Sequence, residues 1–329
     1  MTPAPRPVPR IAVPVALDPA AFQEWDRGAQ TVSLGGETMG TGWRVHFARP
    51  RDLDPEVLGA AIQTRLDALV GEMSHWAADS HLSRFNAGAA GTWVTLPPDF
   101  ATVMATGLAI ARRSDGAFDP TIGALVDLWG YGATPAPHAP DGAAFRDALA
   151  SGGWHRLNYE PLPRRLCQPG GLRLDLSGIA KGHAVDRIAD LLADRGVRHA
   201  LVEIGGELVG RGLRPDGDPW WVDLETPDDR FAPLRVALHQ LAVATSGDYV
   251  RGRHTIDPRT GRPVAHAMSV SVLHSSAMHA DAWATALGVA QPEDARVLAI
   301  REGLAARFLW RTPGEPIEWI SPALHTMLA

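Results

Sequence analysis

Leu174-Asp175-Leu176-Ser177-Gly178-Ile179-Ala180-Lys181-Gly182 reads as a short strand that breaks into a glycine-bearing loop at the mouth of a helix. Val185, Ile188, Ala189 and Leu192 then recur at helical spacing and the pattern ends at Gly196, so a helix is expected from about Lys181 to Arg195. The loop carries neither G-x-G-x-x-G nor the P-loop lysine pattern, which separates it from the two common nucleotide-binding entries of this shape.

Outward from that segment, short strands crowd together at Ala200–Ile204, Trp220–Glu225, Leu234–Leu238, Leu241–Ala244 and Met268–Leu273. Two helices, about Ala280–Val289 and Pro292–Glu302, and a strand at Ala306–Arg311 complete the C-terminal half. Toward the N-terminus a strand is expected at Gly42–Phe47, then a helix capped by Asp54 with Pro55 in its first position. Leu58, Ile62, Leu66, Leu69 and Met73 form its apolar stripe. A second helix begins near Pro98-Asp99, buries Phe100, Val103, Met104, Leu108 and Ala111, and stops at Asp115-Gly116. Residues 133–141 are rich in Pro and Ala and read as a loop or lid. Strands and helices follow one another without a strict βα rhythm. The expected class is therefore α/β in the α+β sense, mixed sheets with flanking helices, and not a Rossmann fold.

Residues 1–30 are expected to form an extended Pro-rich arm and residues 31–329 one domain, ample chain for a core. The 31 basic residues against 37 acidic ones give a net charge of −6, which excludes a general nucleic-acid or anionic-membrane partner but not a small anionic ligand. Cys167 is the only cysteine, so an intramolecular disulfide and a cysteine-rich zinc site are both excluded. No segment approaches the apolar length of a membrane span. The apolar run Ile11–Leu17 is interrupted by Pro14 and closed by Asp18, and no lipid-anchor cysteine follows, so a cytoplasmic location is expected as the sequence stands. A chain lacking its export signal would read the same way, which keeps a periplasmic location open.

Asp281 and Thr285 are four residues apart, on one face of a helix. A carboxylate and a hydroxyl are ligands that Mg²⁺ accepts, with phosphates completing its shell; Asp281 near a helix start and a packed Thr285 are the plainer alternative. Lys181 beside Gly178 and Gly182 offers an ammonium and bare backbone to a pyrophosphate, or is a surface lysine at a turn. Asp175, flanked by leucines, needs a partner: a ligand hydrogen bond, or Lys181. Asp119 in Gly116-Ala117-Phe118-Asp119-Pro120-Thr121 either caps the next segment or holds a ligand. Asp79 to Asn86 reads as a capped helical turn, and Trp76 upstream of it as a packed or a stacking ring. The segment His254-Thr255-Ile256-Asp257-Pro258-Arg259-Thr260-Gly261 reads as a strand ending in a Pro/Gly turn, with His254 a proton acceptor by residue type.

Each segment alone is weak, but in order they resemble the FAD:protein FMN transferase family, often called ApbE. The matching blocks are Met39-Gly40-Thr41, Met73 to Asn86, Gly116 to Thr121, Leu174 to Gly182, Ile204-Gly205-Gly206-Glu207, Ala244 to Tyr249, His254 to Gly261 and Ala280 to Ala286. The resemblance implies a two-lobed domain with FAD in a cleft and Mg²⁺ on the pyrophosphate. It implies transfer of FMN from FAD to a Thr or Ser hydroxyl of an acceptor flavoprotein, of the redox-pump or respiratory-subunit class, with release of AMP. Carried over by position, Gly178 (through its carbonyl), Asp281 and Thr285 would hold the metal. Met39, Trp76, Ala117, Phe118, Asp119, Asp175, Lys181 and Ile256 would contact FAD. The catalytic candidates are Lys181 for charge stabilisation and His254 or Asp248 as the proton acceptor. Trp76 stands where the family usually has a tyrosine, which keeps the aromatic face and removes a hydroxyl. Two other functions fit the same residues: an FAD pyrophosphatase giving FMN and AMP, and a flavin-delivery protein without turnover.

Overall fold

The computed structural model describes residues 8–133, 142–249 and 252–329. Its spine is an eight-stranded sheet in the order Ile317–Ile320, Ala305–Trp310, Ala267–His274, Leu241–Gly247, Glu207–Arg211, Ala200–Ile204, Thr41–Ala48, Thr31–Thr38. Every neighbouring pair in it runs antiparallel. A separate three-stranded sheet is mixed: Arg10–Ala12 pairs parallel with Leu234–Leu238, which pairs antiparallel with Trp220–Leu224. The fold is thus α+β with mixed sheets and flanking helices, and the antiparallel spine excludes a Rossmann arrangement.

Side-chain alternation along the strands divides the interior into two layers. Val45, Phe47, Val202, Ile204 and Val209 face the helices Pro55–Met73, Pro98–Arg113, Ala180–Asp194 and Ala277–Val289 in the larger core. Leu201, Leu208, Val243 and Leu273 face the other way, onto Trp220, Leu224, Leu234 and Val236 of the small sheet. Ala12 lies in this second core, so the proline-rich N-terminal segment packs along its strand Arg10–Ala12.

The Pro55–Met73 helix forms as the sequence indicates. The Asp54 side chain accepts the Glu56 amide, and the buried residues are Leu58, Ile62, Leu66, Leu69 and Met73. Each such side chain taken out of water contributes about 1.5–3 kcal/mol. The helix Ala277–Val289 is different in kind. It is buried nearly all round, and its alanines let the Ala180–Asp194 helix and the strands Leu241–Gly247 and Ala267–His274 pack closely against it.

Three local expectations need correction. Leu174–Leu176 is not a strand; only Arg173 makes an isolated bridge, to Ile122. The Asn86 side chain takes the place of a strand partner, accepting from the Leu174 amide at 2.7 Å and donating to its carbonyl at 3.0 Å. The helix expected from about Ala280 starts at Ala277, with Ser276 as its cap, so Asp281 sits in its second turn and not at its start. His254 and Thr255 precede the two-residue strand Ile256–Asp257. Of the expected loop at residues 133–141, all but Ala133 lie outside the described residues.

Candidate active site

Two helices meet end to side to make the charged part of the site. Gly178 and Gly182 permit the approach. A Cβ on Gly182 would fall 2.2 Å from the Ala277 carbonyl oxygen, and one on Gly178 would fall 2.8 Å from Thr285 Oγ1. Backbone therefore lies where a side chain would otherwise intrude, and Gly178, Asp281 and Thr285 come together across about a hundred residues of sequence. The Gly182 amide, at the first turn of the Ala180–Asp194 helix, donates to Asp281 Oδ2 at 3.0 Å. This ties the positive end of one helix to a carboxylate on the other.

Asp281 is 5% exposed and Glu207 3% exposed. Burial raises the Asp281 carboxyl above its ordinary range, against the pull of the Lys181 charge and the Gly182 amide. Burial likewise pushes Glu207 up to about 8; Lys181 opposes this and Asp281 adds to it. Lys181 Nζ donates to Glu207 Oε1, while Glu207 Oε2 is buried with no hydrogen-bond partner among the described residues. Two buried acidic groups therefore share the neighbourhood of one ammonium.

The donors available suit a hard divalent cation. Among the described residues no group of three or more His, Cys, Asp or Glu could hold a metal ion. A cation here would take one carboxylate, one hydroxyl and a backbone carbonyl, and draw its remaining oxygens from phosphate and water, the pattern favoured by Mg²⁺.

Asp175 does not pair with Lys181, whose ammonium is engaged by Glu207. Its Oδ1 accepts the Ser177 amide at 2.8 Å and its Oδ2 faces His75 Nδ1 at 3.7 Å. His75, Asn86, Asp127, Arg173 and Asp175 line a cleft of ≈ 460 Å³. His75 Nε2 is buried with no hydrogen-bond partner among the described residues. Trp76, 64% exposed, lies against the His75 ring with centroids 5.3 Å apart, free on its outer face to receive a planar ring.

Met39 sits at the tip of the hairpin between Thr31–Thr38 and Thr41–Ala48. Ala117 and Phe118 are buried in the larger core, and their amides donate to the Ser114 carbonyl and hydroxyl. Asp119 does organise its turn. Its Oδ1 accepts from the Thr121 amide and hydroxyl at 2.8 and 2.6 Å, and its Oδ2 from the Trp154 amide at 2.9 Å. Burial still raises its carboxyl, those hydrogen bonds notwithstanding. Ile256 is buried.

A second cleft, ≈ 260 Å³, is lined by Ser246, Asp248, Thr255 and Gly288 among others. Gly288 lies one helical turn beyond Thr285, so a single helix links this cleft to the charged centre. The two proton-acceptor candidates differ sharply here. Asp248 is gripped by Arg311 through two hydrogen bonds of 2.6 and 2.7 Å, which commits both of its oxygens. His254 Nδ1 lies 2.9 Å from the Gly252 carbonyl, a contact that requires the proton on Nδ1 and leaves Nε2 as the free acceptor.

Sequence reasoning missed two residues. In the sequence Glu207 stands only as the last residue of the block Ile204-Gly205-Gly206-Glu207, and His75 only as one residue of the block Met73 to Asn86. The signal for Glu207 is a carboxylate directly after that two-glycine hairpin turn, at a position that faces the helix layer.

Comparison with known proteins agrees with this architecture. The family model described as "ApbE family" matches residues 39–308. An FAD:protein FMN transferase of Klebsiella pneumoniae is 35% identical over 90% of this chain and 89% of its own. One from Vibrio cholerae is 34% identical over 92% of this chain and 95% of its own. Among solved structures, the flavin transferase ApbE from Vibrio cholerae superposes with a TM-score of 0.86 at 34% identity, covering 91% of this chain and 99% of its own. The apo flavinyl transferase ApbE of Pseudomonas stutzeri superposes with a TM-score of 0.85 at 36% identity, covering 91% and 97%.

Proposed function

We propose, for a chain that belongs to the ApbE family, that it is a Mg²⁺-dependent FAD:protein FMN transferase. It moves FMN from FAD to a threonine or serine hydroxyl of an acceptor flavoprotein and releases AMP. The observation that carries this is the convergence of Gly178, Asp281 and Thr285 beside Lys181 at a helix N-terminus.

Attack on a phosphoanhydride builds charge on the phosphoryl and leaving oxygens, so catalysis is mainly positioning and electrostatic stabilisation. A divalent cation held by Asp281, Thr285 and the Gly178 carbonyl would supply Lewis-acid neutralisation of the pyrophosphate. Lys181 would bind the same oxygens from the protein side, while the Ala180, Gly182 and His183 amides of the same helix start are engaged by the Leu176 carbonyl, Asp281 and the Ile179 carbonyl. Trp76 offers its exposed face to a flavin or adenine ring, and Asp175 and His75 offer polar atoms at the cleft wall. The acceptor hydroxyl loses its proton to His254 Nε2, since the Asp248 oxygens are occupied by Arg311. The acceptor is a redox-pump or respiratory flavoprotein subunit.

Incubation with FAD, Mg²⁺ and an acceptor domain bearing the target threonine is expected to raise the acceptor mass by one FMN less one water, as a phosphoester, and release one AMP. No mass gain, with an active relative as control, overturns the proposal. AMP release at full rate without acceptor would assign the chain to FAD hydrolysis. Tight FAD binding with no AMP in either case would assign it to flavin delivery.

A further inference from the structure

Lys181 is the only lysine in the chain; the other 30 of its 31 Lys and Arg residues are arginine. Apart from histidine, every other side-chain cation is thus a guanidinium, and this position alone uses a compact ammonium on a flexible stem. Such a stem needs something to fix it, because a mobile lysine loses side-chain entropy each time it is held against a ligand.

The partner that fixes it is built with care. Glu207 opens the strand Glu207–Arg211 and pairs across the hairpin with Ile204. The two turn residues, Gly205 and Gly206, have φ of 61° and 100°, the left-handed region that this tight turn requires and that glycine enters without strain. That turn fixes the register, so the Glu207 side chain faces the helix layer and is buried there. One of its oxygens holds Lys181 Nζ; the other is buried without a hydrogen-bond partner among the described residues. A buried carboxylate left half-unsatisfied is expensive, and structures keep such groups where they serve a site.

We propose that Glu207 is the positioning residue of Lys181, holding the chain's single ammonium over the pyrophosphate cradle from the opposite layer of the fold. The proposal rests on the transferase reading of the same site. Glu207 acts through Lys181, whose Nζ its Oε1 holds.

The test uses the full chain and its single lysine. Limited acylation with an amine-selective reagent, read by peptide mass mapping, reports the state of Lys181 without any flavin chemistry. Glu207→Gln replaces the acidic group that holds Nζ by a neutral amide of the same volume, so Lys181 is expected to acylate about tenfold faster once that contact no longer fixes and shields it. FMN transfer is expected to lose about tenfold in kcat with a smaller change in KM for FAD. Glu207→Asp, which keeps the charge but retracts it by one methylene, should give intermediate values for both, and it supplies the test if Glu207→Gln does not fold. Acylation and kcat unchanged from wild type in a folded variant overturn the proposal. Wild-type protein that transfers no FMN overturns the transferase reading instead, and the acylation result still reports the Lys181–Glu207 pairing.

Discussion

The charged centre and the segments that carry Trp76 and His254 are built on opposite principles. Asp281 and Thr285 stand on one regular helix and Gly178 in the turn that opens another, a close approach that glycine allows, and Asp281 and Glu207 are buried. Trp76 and His254 stand on connecting segments, Trp76 with most of its surface in water. The difference matches the chemistry proposed. Charge must be aimed to fractions of an ångström in a dry setting, whereas a planar ring and a partner protein's hydroxyl must be able to enter.

If that division is right, damage should grade from the centre outward. Asp281→Asn removes the only carboxylate among the three proposed metal ligands, so FMN transfer should fall by about a hundredfold or more and lose its response to added Mg²⁺. Transfer within a few-fold of wild type would break the comparison at its strongest point. His254→Ala should lower kcat by about a hundredfold while leaving the affinity for FAD, measured by fluorescence titration, near wild type. A loss confined to FAD affinity would move His254 out of the proton-transfer role. Trp76→Ala should raise KM for FAD by about twofold to tenfold with kcat little changed, since a single ring contact is worth about 0.5–1.5 kcal/mol. An equal loss in kcat would mean that Trp76 also orients the reacting phosphate.

The smallest effect on transfer is expected far from both regions, at Glu318. Burial alone would raise its carboxyl, but hydrogen bonds from Arg10 and Arg307 outweigh burial and hold it below the ordinary range. A carboxyl whose value is lower folded than unfolded stabilises the fold above its unfolded value, and that stability is lost as pH falls through the folded one. Arg307 is fully buried and donates to Glu318 at 2.7 Å. Glu318→Gln should therefore lower stability by about 2 kcal/mol at neutral pH. The gap from wild type should close in acid, as followed by thermal melts across pH, and transfer by the folded fraction should be unchanged.

Local pattern carried much of the fold. The stripe Leu58 to Met73, the cap at Asp54 and the strands Ala200–Ile204 and Leu234–Leu238 lie where periodicity and turn residues put them. Where a side chain competes with backbone pairing, pattern failed. Leu174 looks like a strand residue, yet its amide and carbonyl are taken by Asn86 from 88 positions away. The site divides in the same way. A four-residue spacing placed Asp281 and Thr285 on one face, because helix geometry is local. The partners of Asp175, Asp248 and Lys181 were not legible, because His75, Arg311 and Glu207 reach them across layers that no spacing encodes.

The most direct measurement is a crystal structure of the chain with FAD and Mn²⁺, with the metal located by its anomalous signal. The account predicts one ion bound by the Asp281 carboxylate, the Thr285 hydroxyl and the Gly178 carbonyl, with the FAD pyrophosphate completing its shell beside Lys181. An ion on other residues, or FAD bound with its pyrophosphate away from the N-terminus of the Ala180–Asp194 helix, would contradict it.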